Sequence, residues 1–197
     1  MRAIGTTIIV LFFALLFGVG SALYRVETLS TAPDFQVGPW QGSLHAGSQA
    51  ADGLTRAVIA RTAMLALNRE EAIYYIASTD NNGRPLSSSC RYSLTGGDMP
   101  ARWWSITAYG PDYFLIPNVE NRYSITQTDM QARGVKEFLV ELAADGVRRS
   151  PDSLVLSNGT GPGQAFSLLL RLYHPTEAVL TAPQSLTAPM ISNLRCS

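Results

Sequence analysis

The sequence predicts a mainly β protein: an antiparallel, jelly-roll-like β-sandwich behind one transmembrane helix, with one or two short soluble helices beside it. Three observations carry that expectation. No charged residue stands between Ile4 and Tyr24. A single amphipathic stretch follows near residues 52–67. From Ala72 onward the apolar period falls to two, and turn residues recur about every 8–12 positions, the spacing of an antiparallel sandwich or jelly roll.

The amino-terminal run is centred on Ile8-Ile9-Val10-Leu11-Phe12-Phe13. At about 1.5 Å per residue it is long enough for a hydrocarbon layer of about 30 Å. It exceeds the apolar core of about 7–15 residues usual in a secretory signal, which favours a retained anchor over residues 1–24. Cleavage near Ala22 is the alternative, because Arg2 gives a positive start and Gly20-Ser21-Ala22 resembles a small-residue cleavage site. Arg2 precedes the run, whereas Arg25 and Glu27 nearly cancel after it. The positive-inside bias therefore favours a cytoplasmic amino end and an exported body. The expected address is a bacterial inner membrane, crossed once through residues 4–24, with the body in the periplasm. In that oxidising compartment Cys90 and Cys196 can pair, closing a long loop worth roughly 4–5 kcal/mol in the chain-entropy model. Two unrelated buried thiols are the alternative.

Fifteen basic and fifteen acidic residues cancel, and charged residues reach only 15%, against roughly 25% in an average soluble domain. That balance excludes a nucleic-acid partner held by a basic surface. The 46% hydrophobic content excludes a long disordered chain. Two histidines and two cysteines are too few for a Cys/His zinc cage, and neither His45 nor His174 has a second ligand at metal spacing. No cofactor is expected.

Residues 25–48, rich in Gly, Pro, Ser and Thr, read as a tether that docks near Gly38-Pro39-Trp40-Gln41-Gly42. The sandwich domain then covers residues 49–197. Its helix runs from Asp52, an N-cap, to Leu67, with Leu54, Val58, Arg61 and Leu65 at three- and four-residue steps and Asn68 ending it. A strand over Ala72–Thr79 meets Asp80-Asn81-Asn82-Gly83, a hairpin signal, and a returning strand covers Ser87–Leu94. Further strands are expected over 103–109, 113–116, 122–126, 136–142, 153–156 and 164–173. A brief helix over Thr176–Leu180 precedes a tail expected to be irregular through Pro183 and Pro189 to Cys196.

Catalytic signatures are missing. No Gly-x-Ser-x-Gly elbow is present, and the loop Asn158-Gly159-Thr160-Gly161-Pro162-Gly163 lacks the Lys-Ser/Thr of a phosphate-binding loop. Asn158-Gly159-Thr160 also fits a short glycosylation sequon. The informative stretch is Arg102-Trp103-Trp104-Ser105-Ile106-Thr107-Ala108-Tyr109. Strand alternation puts Trp104, Ile106 and Ala108 on one apolar face and Trp103, Ser105, Thr107 and Tyr109 on the other. That second face carries hydroxyls and an indole, the composition of a platform for a small polar ligand or sugar; a sheet face covered by the tether or a neighbour is the ordinary reading. Asn118 and Asn121 read first as turn-formers, and Arg122 as an ion-pair partner of Glu120 or Asp112 or as a binder of a carboxylate or phosphate. Arg171 and Tyr173 point away from the core face of Phe166, Leu168, Leu170 and Leu172.

Arg84-Pro85-Leu86, Cys90-Arg91-Tyr92, Ala101 through Tyr109, Asn118 with Asn121-Arg122-Tyr123-Ser124, and Phe166 with Arg171-Leu172-Tyr173-His174-Pro175 together resemble the family called domain of unknown function 1214, DUF1214. The likeness runs from about Ala50 to the end and is nearest to short, membrane-anchored bacterial members. It implies a jelly-roll-like β-sandwich and no settled activity, so no catalytic residue carries over. Longer relatives have an extra amino-terminal domain. Many members carry Asn-Trp-Leu-Pro before the Gly-rich loop, where this chain has Ser153-Leu154-Val155-Leu156-Ser157.

The expected function is binding of a small polar ligand or an envelope component, without chemistry. The candidate contacts are Trp103, Ser105, Thr107, Tyr109, Asn121, Arg122 and Arg171. One alternative is a hydrolase or isomerase using dispersed carboxylates such as Asp98 or Asp112. Another is a structural module that packs against a membrane partner.

Overall fold

The computed structural model describes residues 2–28, 33–61, 66–118, 120–134, 137–143, 146–149, 153–156 and 163–196. The Asn158 sequon and most of the Gly-rich loop lie outside them. The apolar run forms α1 (Arg2–Thr28), within which Ile4–Arg25 is long and apolar enough to cross a membrane; none of it is buried against protein.

Ten strands follow among the described residues, and they make two sheets. Residues 35–42, read from the sequence as part of a tether, form a hairpin of β1 (Phe35–Val37) and β2 (Trp40–Gly42) around Gly38, whose φ of +56° suits the turn. Gly42 is demanded by packing, because a Cβ there would stand 2.2 Å from the Phe35 ring and 2.5 Å from the Tyr74 carbonyl. The hairpin joins β3 (Ala72–Ala77) through Trp40 opposite Ala77. With β9 (Ser167–Pro175), β5 (Ala101–Tyr109) and β6 (Ser124–Thr126) these give a six-stranded sheet in the order β1-β2-β3-β9-β5-β6. The second sheet has the order β10-β4-β7-β8, from β10 (Met190–Cys196), β4 (Cys90–Gly97), β7 (Glu137–Ala143) and β8 (Leu154–Val155). All pairings are antiparallel except β7 with β8.

The sheets pack face to face as a sandwich around one core. Tyr75, Trp104, Ile106, Leu168 and Leu170 of the larger sheet share it with Tyr92, Leu94, Phe138, Leu142 and Ile191 of the smaller. Trp104 and Phe138 bridge the layers with ring centroids 5.3 Å apart, a contact that adds to simple area burial. Tyr75 is fully buried, which pushes its phenol well above the ordinary range, and its hydroxyl donates to the Pro183 carbonyl at 3.0 Å.

Several expected elements are corrected. The soluble helix α2 is Gly53–Arg61, capped by Asp52, which accepts from Thr55 N at 2.7 Å. Residues 62–65 lie outside the described set, and by Leu67 the chain is no longer helical: its N–H donates to the Tyr74 hydroxyl at 2.8 Å. The Asp80–Gly83 turn forms, with Gly83 at φ +78°, but it does not return a long partner to β3. After a bridge between Thr79 and Pro85 the chain crosses to the second sheet, because Leu86 buries in the core and β4 begins only at Cys90. The expected strand at 113–116 is a turn with one bridge, Tyr109 to Leu115, since Tyr113 adopts φ +66°. The tail is not irregular. It forms a 3-10 turn (Pro183–Ser185) and then β10, a strand hidden in the sequence because Ile191 is its one buried residue and no period of two results. Two further helices are α3 (Gln127–Ala132) and α4 (Glu177–Thr181).

Candidate functional site

β9 lies between β3 and β5 near the middle of the larger sheet, so its outward side chains stand in rows with those of both neighbours. Register places Tyr74, Arg171, Ser105 and Thr126 in one row across four strands. Ala72, Tyr173 and Trp103 form the row on one side; Ile76, Leu169, Thr107 and Ser124 form the row on the other. The alternation read from the sequence is therefore realised: Trp103, Ser105, Thr107, Tyr109 and Arg171 share the face turned away from the core. Ser105 and Thr107 are buried at its floor, 5% and 6% exposed, while Trp103, Tyr109, Arg171 and Tyr173 are half-buried around them.

Arg171 organises this face. Its Nη2 donates to the Tyr109 hydroxyl at 2.8 Å and its Nη1 to Thr107 Oγ1 at 3.4 Å, while its guanidinium carbon lies 5.6 Å from the Tyr109 ring centroid. Trp103 stands beside Tyr173, centroids 5.3 Å apart, and its indole N–H donates to Thr128 Oγ1 at 3.0 Å. Tyr74 completes the row. Burial raises its phenol above the ordinary value, and the charges of Tyr173 and Glu71 add to that rise; the Leu67 N–H bond and the Arg171 charge oppose it without cancelling it.

The sequence reading missed Tyr74, although the alternation of Ala72–Ala77 sets Tyr74 opposite to Ile73 and Tyr75. It also missed Thr128. The signal there was the Thr126-Gln127-Thr128-Asp129 run, a capping box in which Thr126 and Asp129 bond each other's backbone N–H. The β1–β2 hairpin does not roof this face. It lies in the plane of the sheet beyond β3, with β3 and β9 between it and β5.

Asn121 and Arg122 belong to a neighbouring loop rather than to the face. Buried Asn118 builds that loop: its Oδ1 accepts from Glu120 N and Arg122 N, and its Nδ2 donates to the carbonyls of Ile116 and Arg122. Asn121 sits exposed at φ +51° and accepts from the Tyr123 hydroxyl at 3.2 Å. Arg122 lies 3.8 Å from Asp129, and Glu120 pairs with Arg148 at 2.6 Å, so the Glu120–Arg122 pairing weighed from the sequence is corrected. The carboxylates proposed for catalysis lie at the surface. Asp98 accepts from the Trp104 indole at 3.2 Å and from Gln127 at 3.1 Å, and Asp112 accepts from Phe114 N at 3.1 Å. Both hold local structure.

Cys90 and Cys196 are bonded, with Cα atoms 4.0 Å apart at facing positions of β4 and β10.

A sandwich with one hydroxyl- and aromatic-lined outer face, behind an apolar helix, is the class that fold and site define. The model of the family described as "Protein of unknown function (DUF1214)" matches residues 71–177, more than half of the chain; the protein belongs to that family. No curated protein matches. Among solved structures, the VPA0106 protein from Vibrio parahaemolyticus is similar at a TM-score of 0.56 and 20% identity, over 90% of this chain and 43% of that one. An uncharacterised protein from Burkholderia cenocepacia is similar at a TM-score of 0.35 and 13% identity, over 64% of this chain and 29% of that one. The chain therefore spans less than half the length of either. The Vibrio likeness supports the fold and nothing finer.

Proposed function

We propose that this chain is a membrane-anchored, exported binding module whose larger sheet holds a small polar ligand on its outer face. One observation carries the reading. Trp103, Ser105, Thr107, Tyr109 and Arg171 occupy adjoining rows of one sheet face, and no carboxylate pairs with Arg171 among the described residues. Hydroxyls that can donate and accept, half-buried rings and a cation are what a polar ring compound requires. The location rests on α1 and on the disulfide: the helix suits a bilayer inserted through residues 4–24, and the bond suits an oxidising periplasm.

Trp103 gives a direct test. Trp40 and Trp104 are buried at 0% and 1% exposure, so ligand-dependent tryptophan emission reports on Trp103. Titration of the detergent-solubilised chain with neutral sugars, sugar acids and aromatic acids is expected to change emission saturably for at least one class. Silence across the panel removes the reading. For the location, the chain should stay in the membrane pellet after alkaline carbonate, with a protease-sensitive body in spheroplasts; a mature chain starting at Leu23 supports cleavage instead.

A second reading, docking on an envelope protein, is favoured by the turn after β5. Tyr113, Phe114 and Leu115 are 41%, 70% and 42% exposed there, next to the candidate face. Crosslinking from position 114 in intact cells tests it: an unchanged monomer band removes that reading.

A further inference from the structure

We propose that the ligand is a ring compound carrying one carboxylate, with the carboxylate on Arg171 and the ring against Trp103 and Tyr173. This rests on the binding reading above and narrows it to a chemical class.

The Arg171 guanidinium is incompletely satisfied by its neighbours. It presents five N–H donors, two of which are engaged, by Thr107 and Tyr109. Among the described residues no Asp or Glu lies within ion-pair distance of it. Half-burial removes part of its hydration, and its fixed partners return only neutral oxygens and the Tyr109 ring. A cation held this way retains donors in a planar fork and favours an oxyanion, which relieves the desolvation the side chain bears. The two contacts also fix the fork in place, so little rotamer freedom is left to lose on binding.

The neighbouring row decides between a bare anion and a ring acid. Tyr173 lies two residues along β9 from Arg171, about 6–7 Å by the rise of a strand. Trp103 of β5 stands directly opposite Tyr173. The two rings are tilted by 51° to each other, and the Trp103 indole is held by Thr128. A six-membered ring with a carboxylate directly attached spans that separation. Buried Ser105 stands directly opposite Arg171, in the row next to Trp103 and Tyr173, and offers a hydroxyl to ring substituents. A phosphate ion would satisfy Arg171 and leave the rings unused; a neutral sugar would use the rings and leave the charge unmatched.

Both possibilities enter the test. The full chain in neutral detergent is titrated with galacturonate and benzoate, with galactose and benzyl alcohol as their neutral counterparts, and with inorganic phosphate, following tryptophan emission. The ring acids are expected to bind about tenfold or more tighter than the neutral counterparts and than phosphate. Arg171→Gln is expected to bring the acids down to the neutral level, and Arg171→Lys to retain part of the preference. If Arg171→Gln does not fold, the acid-against-neutral comparison on the unaltered chain still decides. Neutral rings binding as well as acids overturn the carboxylate assignment and leave the binding reading intact. Phosphate binding as tightly as the ring acids overturns the ring. No response to any probe removes both.

Discussion

Asn81 and Ile191 exchange two hydrogen bonds across the sandwich edge. Asn81 N donates to the Ile191 carbonyl at 2.9 Å, and Ile191 N donates to Asn81 Oδ1 at 2.6 Å. The side-chain amide stands in for a backbone carbonyl, so one turn residue completes a strand-like pair with β10. The turn after β3 in the larger sheet is thereby tied to an edge strand of the smaller sheet. Asn81→Ala leaves the N–H of fully buried Ile191 without an acceptor, which should cost about 1–2 kcal/mol in urea unfolding. Asn81→Asp keeps an acceptor oxygen in place and should lose less. Equal losses for the two substitutions would show that the acceptor is not what matters.

The disulfide acts on the same strand from its other end. The bond joins positions 106 residues apart, so it restricts the unfolded chain more than it shapes the folded one. The Cys90→Ser, Cys196→Ser double variant should lose roughly 4–5 kcal/mol, about 10–15 °C in midpoint for a chain of this size. Thermal melts with and without a strong reductant check the mechanism: reductant should lower the native midpoint and leave the variant unmoved. A native midpoint that ignores complete reduction would contradict it.

Trp40 fastens the first hairpin to the far layer. Its indole N–H donates to the Pro189 carbonyl at 2.7 Å, immediately before β10. Trp40→Phe keeps an aromatic ring in the core and removes the donor, and should cost about 1–2 kcal/mol by denaturant midpoint. Trp40→Ala adds a cavity and should cost about 3–5 kcal/mol. If the two variants prove equally stable, the hydrogen bond and not the ring dominates.

How far the sequence revealed all this depended on whether a segment's own residues determined its structure. The strand Ala101–Tyr109 was legible because burial on one side enforces a period of two, and that same period exposed the candidate face. The Asn-Gly turn was legible, but its partner was not: where the chain goes after Pro85 is decided by Leu86 entering the core, a tertiary event. The tail strand Met190–Cys196 carries one buried apolar residue, Ile191, and owes its pairing to β4, the disulfide and Asn81. Nothing local announced it. The same holds within the site. Alternation placed Arg171 on the outer face, whereas its placement over Tyr109 and its distance from any acid depend on register between strands more than sixty residues apart. Asn121 and Arg122 looked equivalent to these as a polar cluster, yet Asn118 folds them into a loop of their own.

Acid should loosen the first hairpin before the core. Asp34 Oδ2 accepts from Ser43 Oγ and from Leu44 N, both at 2.7 Å, closing the loop that follows β2. Partial burial pushes the Asp34 carboxyl upward, but these bonds and the nearby His45 charge outweigh it and hold the group below the ordinary value of 3.8. A carboxylate depressed in the folded state contributes stability that is fully present above its unfolded value and fades as pH falls through the lower folded value. The window therefore opens near pH 4 and extends downward, and neutral pH lies outside it. Asp34→Asn should melt below the native chain at pH 7, and the gap should narrow as both are taken downward from pH 4 and the native carboxyl becomes protonated too. Asp52, held low mainly by its backbone bond from Thr55, titrates in the same range, so the comparison has to be the difference between the two chains at each pH. A gap that stays constant from pH 7 down to the pH at which the Asp34 carboxyl is protonated would show that its charge contributes nothing to closing the hairpin.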